Sequence, residues 1–131
     1  MTAIDPVSQT VTTATGARLG YDKLLLATGS TPRRLSVPGA DLDGVHYLRN
    51  LEDSDRIKAG FAKAHRVAII GAGWIGLETA AAARNAELDV TLLERSQLPL
   101  LRILGPETAP ILADLHRDHG VDLRTTLRWL N

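Results

Sequence analysis

Residues 67–78 read Val67-Ala68-Ile69-Ile70-Gly71-Ala72-Gly73-Trp74-Ile75-Gly76-Leu77-Glu78 and decide the expected fold. A short apolar stretch enters a G-x-G-x-x-G loop, and an alanine-rich stretch typical of a helix follows it. Gly71 allows the tight turn, Gly73 lets the backbone approach a pyrophosphate, and Gly76 lets helix and strand pack closely. The helix start offers N–H groups at the positive end of its dipole. The pattern predicts a dinucleotide-binding loop formed by Gly71, Ala72, Gly73, Trp74, Ile75 and Gly76.

The surroundings of the loop support this prediction. Residues 66–70 read as a continuous apolar strand, of the kind buried on both faces of a parallel sheet. A second apolar stretch, residues 90–93, ends in Glu94, at the separation expected of the acid that binds the adenosine ribose. A carboxylate there repels the 2′-phosphate of NADP, so NAD is predicted in preference to NADP, and the adjacent Arg95 weakens that preference. The simpler alternative is a glycine-rich turn in an α/β core that binds nothing.

The whole chain predicts an α/β protein, in which short antiparallel β-strands precede a Rossmann-like parallel sheet of βαβαβ order. Residues 9–13 and 18–21 predict a hairpin, and residues 23–27 predict an apolar strand. A capped helix is expected from Asn50 to Lys63. A further helix is expected from Pro106 to His119, with Gly120 as the glycine directly after its end, followed by a strand at residues 121–125.

Composition excludes several classes of function. The 131 residues contain 15 Lys and Arg against 15 Asp and Glu, which gives no electrostatic reason to expect binding to nucleic acid or anionic membranes. There is no cysteine, so the chain offers no thiolate chemistry and no cysteine-ligated zinc. Without an evident signal peptide or membrane span, a cytoplasmic protein is expected. His116 and His119 fit a polar helix end better than a metal site, and Trp74 and Trp129 are expected to pack.

Three segments together resemble the FAD-dependent pyridine nucleotide-disulfide oxidoreductases. Residues 21–33, Tyr-Asp-Lys-Leu-Leu-Leu-Ala-Thr-Gly-Ser-Thr-Pro-Arg, resemble the family's segment that closes over the FAD, and residues 47–53 resemble the linker into its NAD domain. Residues 71–78 are similar to the NAD loop of the ferredoxin-reductase branch. The absence of C-x-x-C between residues 44 and 70 argues against the thioredoxin-reductase branch. The glutathione-reductase branch is disfavoured by the motifs but stays open.

The resemblance implies a role for individual residues. Thr28 and Gly29 would close over the FAD, and Arg33 would contact an FAD phosphate, although a solvated loop arginine is the simpler alternative. Glu78 would lie close to the flavin and nicotinamide rings, with a helix-stabilising first-turn acid as the alternative. Arg102 would lie near the ribose pocket. Residues 1–45 would then be an FAD-domain segment with its linker, and residues 46–131 an incomplete NAD-binding domain.

The implied parent is an NADH-dependent flavoprotein that passes a hydride from NADH to FAD and electrons on to a ferredoxin-type iron–sulfur protein. A fragment of an NADH oxidase or of a nitrite-reductase-type flavoprotein would share these motifs. A Rossmann-like module that only binds is the non-catalytic alternative. An NADH titration of the isolated chain is expected to discriminate this last alternative, because an intact glycine loop should bind NADH measurably.

The resemblance also yields an expectation for the isolated chain. The family's FAD glycine loop and its interface domain have no counterpart in these residues, so we expect no turnover by the chain alone and weak or absent FAD binding. The absorbance spectrum of the purified chain tests this expectation. A stoichiometric flavin band would contradict it.

Overall fold

The structure is a computed structural model that describes residues 1–127. The chain divides into two compact units, Met1–Thr31 and Pro32–Asn131, and each is considered by itself below. Trp129, which the sequence predicts to pack, lies outside the described residues.

The first unit is a three-stranded antiparallel sheet. Its strands are β1 (Ala3–Asp5), β2 (Thr10–Thr12) and β3 (Arg18–Gly20), in the order β1-β2-β3. The predicted hairpin is confirmed as β2 and β3. β1 was not predicted, because three exposed residues carry no periodic pattern. The signal was in the turn, where the Asp5 carboxylate accepts hydrogen bonds from the N–H groups of Val7 and Ser8, at 2.9 and 3.0 Å.

The predicted strand at residues 23–27 is wrong, since these residues form no strand in the structure. The side chains of Leu25 and Leu26 are 87% and 58% exposed. An apolar run becomes a strand only where a neighbouring strand takes up its N–H and C=O groups. No strand among the described residues pairs with this run.

The second unit carries the predicted βαβαβ order, which is confirmed. Its elements are α1 (Leu51–Phe61), β4 (Arg66–Ile70), α2 (Trp74–Asn85), β5 (Asp89–Leu93), α3 (Leu101–Asp118) and β6 (Val121–Arg124). The three strands are parallel in the order β4-β5-β6. Their register pairs Ile70 with Leu93 and Leu93 with Arg124, so their carboxyl ends meet at one edge of the sheet. The glycine loop and Glu94 both follow at that edge.

The core lies on one face of the parallel sheet. Val90, Leu92 and Val121 are buried there in one cluster with apolar residues of α2. Ala80 and Ala83 of α2 are fully buried, and their small side chains let the helix approach the sheet. The prediction that β4 is buried on both faces is wrong, because exposure alternates along it. Ile70 is 47% exposed because α2 and α3 pack on the same side of the sheet.

The helix ends follow the predicted signals closely. Asn50 caps α1, accepting from the N–H of Asp53 at 2.9 Å, and the Asp53 carboxylate accepts from the N–H of Asn50 at 3.1 Å. α1 stops at Phe61, two residues before the predicted end.

α3 contains a break that was not predicted, at Gly105 (φ 75°), so that Pro106 begins its second part as expected of a first-turn proline. Gly120, with φ 80°, follows the helix as predicted. In the described part of the chain no helix combines the length and the apolar character needed to cross a membrane.

The capping box of α1 can be tested by Asn50→Ala. Loss of the cap is expected to cost about 1 kcal/mol, which raises amide hydrogen exchange within α1 by about fivefold. The control is Ser54→Ala, because Ser54 is exposed. The hydrogen bond from its backbone N–H to the Asn50 carbonyl, 3.2 Å long, does not involve its side chain and is kept in the variant. Equal exchange rates in both variants would contradict the role of the cap.

Candidate dinucleotide-binding site

The glycine loop and the first turn of α2 touch backbone to backbone. Gly71 has φ +99°, a left-handed conformation that favours glycine. A Cβ on Gly76 would lie 1.9 Å from the Gly71 carbonyl oxygen and 3.0 Å from its carbon. No side chain fits in that space. Gly76 therefore fixes how closely α2 approaches the turn that precedes it.

Open space lies over Gly73, in contrast to Gly76. Gly73 is the N-cap of α2, and a Cβ built on it would meet no atom within 4 Å. No side chain among the described residues caps this helix. Its first N–H groups lack intrahelical partners, and the helix dipole is positive at this end. These donors suit the oxygens of a phosphate group.

Glu94 stands directly beside the loop. The Ala72 N–H donates to its Oε2 and the Ser96 N–H donates to its Oε1, both at 2.7 Å. Burial tends to raise the pKa of Glu94. The hydrogen bonds from Ser96 and Ala72 outweigh that effect and hold its pKa below the usual value of 4.5. An ionised carboxylate therefore adjoins the open helix start at neutral pH.

The structure thus brings the glycine loop into direct contact with Glu94, the residue predicted to bind the ribose. Ser96 was missed by the sequence reasoning. A small polar residue two positions after an acid, in a tight turn, is the signal that would have identified it. Arg95 and Arg102 are exposed, and no hydrogen bond or ion pair within residues 1–127 fixes either side chain. Their predicted roles remain predictions.

Trp74 and Ile75 lie at the open end of α2, and their side chains are 52% and 53% exposed. The prediction that Trp74 packs is wrong for the described residues, because about half of this residue stays exposed at the first position of α2. Both residues line an apolar groove of about 770 Å³ between α1, β4 and the start of α2. Glu78 is exposed further along α2 and lines a second groove, of about 700 Å³, between α1 and α2.

The residues predicted to contact FAD are exposed. Thr28 and Gly29 belong to the first unit and lie outside its strands, with Gly29 at φ +80°. Arg33 belongs to the second unit and precedes α1. Their roles toward FAD remain predictions.

The two histidines of α3 contact backbone carbonyls. His116 places Nδ1 2.9 Å from the Leu112 carbonyl and Nε2 3.2 Å from the Leu77 carbonyl, which links α3 to α2. His119 places Nδ1 2.8 Å from the Leu115 carbonyl. Within the described residues no group of three or more acidic, cysteine or histidine side chains could hold a metal ion.

The parallel sheet with a glycine loop between β4 and α2 defines the chain as a Rossmann-like α/β protein. Over residues 1–128 it matches the protein family described as pyridine nucleotide-disulphide oxidoreductase. The chain therefore belongs to that family, as the resemblance of its motifs predicted.

Several relatives are reductases of the ferredoxin-reductase branch. The chain is 43% identical over 122 residues to the 5,5′-dehydrodivanillate O-demethylase ferredoxin reductase subunit of Sphingobium sp., covering 93% of this chain and 30% of that protein. It is 42% identical over 121 residues to rhodocoxin reductase of Rhodococcus erythropolis, covering 92% and 28%.

A crystal structure of the ferredoxin reductase for the CYP199A2 system from Rhodopseudomonas palustris superposes with a TM-score of 0.82 at 36% identity, covering 98% of this chain and 32% of that one. The predicted branch is confirmed. The chain spans about a third of the length of the relatives it matches.

Substitution of Gly76 and of Gly73 is expected to lower the free energy of unfolding by different amounts. Gly76→Ala forces a Cβ against the Gly71 carbonyl and is expected to lower the free energy of unfolding by about 1–3 kcal/mol. Gly73→Ala is the matched control, because its Cβ enters open space, and it should cost less than about 1 kcal/mol. Urea unfolding followed by circular dichroism measures both. Equal losses would contradict the assigned contact.

Proposed function

We propose that this chain is the NAD(H)-binding portion of an FAD-dependent oxidoreductase. The observation that carries the proposal is the uncapped start of α2 with an ionised Glu94 linked to the same loop at 2.7 Å. The N–H groups of the first turn of α2 suit the pyrophosphate, and the open space over Gly73 gives it room. Glu94 stands where the ribose hydroxyls of the adenosine would donate hydrogen bonds.

The charge beside the loop supports NADH as the donor. The lowered pKa of Glu94 keeps its carboxylate charged, and a second negative charge, the 2′-phosphate of NADP, would be repelled there. Arg95 is an exposed cation directly after Glu94, and we propose that it moderates the discrimination between the two donors. Arg102, exposed in the first turn of α3, is proposed to lie near the same pocket.

The flavin and the acceptor enter the proposal through the relatives, which are named as ferredoxin reductases. When both cofactors are bound, they supply transfer of a hydride from nicotinamide to flavin and of electrons onward. Residues 1–45, with Thr28, Gly29 and Arg33, are proposed to contribute to the FAD site. Residues 46–131 are proposed to hold NAD(H), with Glu78 presented toward the reacting rings. The proposed acceptor is a ferredoxin-type iron–sulfur protein.

Acceptor preference separates this proposal from its alternatives. The assay uses a polypeptide that contains these residues and binds FAD, with NADH as donor. Reduction of a ferredoxin-type protein, followed by its visible absorbance, supports the ferredoxin-reductase assignment. Rapid oxygen consumption without ferredoxin would favour an NADH oxidase, and nitrite reduction would favour the nitrite-reductase type. NADH binding without any electron transfer would indicate a binding module.

Removal of the Glu94 carboxylate tests the donor site in the chain itself. Glu94→Ala is expected to weaken NADH binding roughly 10- to 100-fold, the effect of losing a charged hydrogen-bond acceptor, and to reduce discrimination against NADPH. Titration of each dinucleotide, followed by nicotinamide fluorescence, gives both affinities. Asp89→Ala is the control, because it removes an exposed carboxylate at the opposite end of β5. Unchanged affinities for both dinucleotides would refute the assignment.

A further inference from the structure

The N–H groups of the glycine loop fall into two sets. The Gly71 N–H donates to the Leu93 carbonyl at 2.8 Å, and the Ala72 N–H donates to Oε2 of Glu94 at 2.7 Å. Ala72 is 1% exposed, so its N–H lies inside the fold. These two donors face the end of β5. The donors from Gly73 onward face the open start of α2.

Glu94 is itself held firmly in place. Its backbone N–H donates to the Arg124 carbonyl at 2.8 Å, and its carbonyl accepts from the Leu127 N–H at 3.1 Å. The Ser96 N–H binds the second carboxylate oxygen, and the Ser96 carbonyl accepts from the Thr126 N–H at 3.0 Å. The side chain that reaches Ala72 is therefore anchored to the segment after β6. The loop is tied through it to the carboxyl edge of the sheet.

The chemistry of this link requires an ionised carboxylate. Ala72 and Ser96 each present an N–H donor, so each needs an oxygen acceptor. A carboxylate accepts at both oxygens, whereas a glutamine amide would turn an NH₂ group toward one of the two donors. A buried N–H left without an acceptor costs about 1–3 kcal/mol. The ribose hydroxyls impose no such restriction, because a hydroxyl both donates and accepts.

We propose that Glu94 is a positioning residue for the glycine loop, in addition to its proposed contact with the ribose. Its carboxylate holds the Ala72 N–H, and this orients the donors from Gly73 onward toward the pyrophosphate before a dinucleotide arrives. The identity of the ligand rests on the proposed function. The link between Glu94 and Ala72 stands without it. The ribose and pyrophosphate sites are thus coupled through one side chain.

Amide hydrogen exchange in the ligand-free chain, measured by NMR, tests the link directly. In the wild-type chain the Ala72 amide is expected to exchange at least about tenfold more slowly than the Gly73 amide. Glu94→Ala, which removes both acceptor oxygens, should remove most of that difference. The control is Asp89→Ala, which removes an exposed carboxylate at the opposite end of β5 and should leave both rates unchanged. Equal rates at Ala72 and Gly73 in the wild-type chain, or a protected Ala72 in Glu94→Ala, would overturn the proposal.

Titration with inorganic pyrophosphate at constant ionic strength separates positioning from ribose binding, since this probe has no ribose. A Glu94 that only binds ribose repels the anion, so Glu94→Ala would then bind pyrophosphate as well as or better than the wild-type chain. A positioning Glu94 predicts the opposite sign, a loss of at least about fivefold. Stronger or equal binding would refute the proposal. Failure of the wild-type chain to bind pyrophosphate and NADH would refute the proposed function, and the exchange rates would still decide the link.

Discussion

The backbone contact between Gly71 and Gly76 is the constraint on which the rest of the site depends. With only 1.9 Å between the Gly71 carbonyl oxygen and the place of a Cβ on Gly76, the first turn of α2 can approach β4 only if residue 76 is glycine. That approach buries Leu77 and Ala80 against the sheet, and it fixes the direction in which α2 begins. The absence of a side chain at Gly76 thus determines both how the core packs and in which direction the helix dipole of α2 points.

The parallel register carries this constraint across the sheet. Because Ile70 pairs with Leu93, the residues that follow β4 and β5 emerge side by side at one edge. Glu94 directly follows β5, so its side chain reaches the loop that directly follows β4. Parallel strands joined by helices collect their carboxyl ends in this way, and ligand sites of α/β proteins form at such edges. Ala72 and Glu94 are 22 positions apart in the sequence, and in the fold a 2.7 Å hydrogen bond joins them.

Local signals predicted what local chemistry decides. Asn50 and Asp53 predicted the start of α1, Gly120 the end of α3, and the glycine spacing the turn before α2, since each depends on a few neighbouring residues. The wrong predictions concern segments whose structure depends on contacts with residues distant in the sequence. Leu25 has an apolar strand pattern but no neighbouring strand among the described residues. Trp74 has a packing side chain but lies beside a groove. The pattern of apolar residues indicates which side chains a segment can bury, but it does not indicate which other part of the chain packs against them.

The site residues show the same division at finer scale. The spacing of Glu94 from the glycine loop predicted that an acid would bind the adenosine ribose. The structure places this acid beside the loop, and its contact with a dinucleotide stays a proposal. The pattern did not indicate that the acid would accept an N–H from the loop itself, because that bond depends on how β4 and β5 pair in the folded sheet. Ala72 and Ser96 were ordinary residues in the sequence, yet their N–H groups hold the pKa of Glu94 down. The charge that is proposed to favour NADH is therefore maintained by the same backbone that the ligand is proposed to contact.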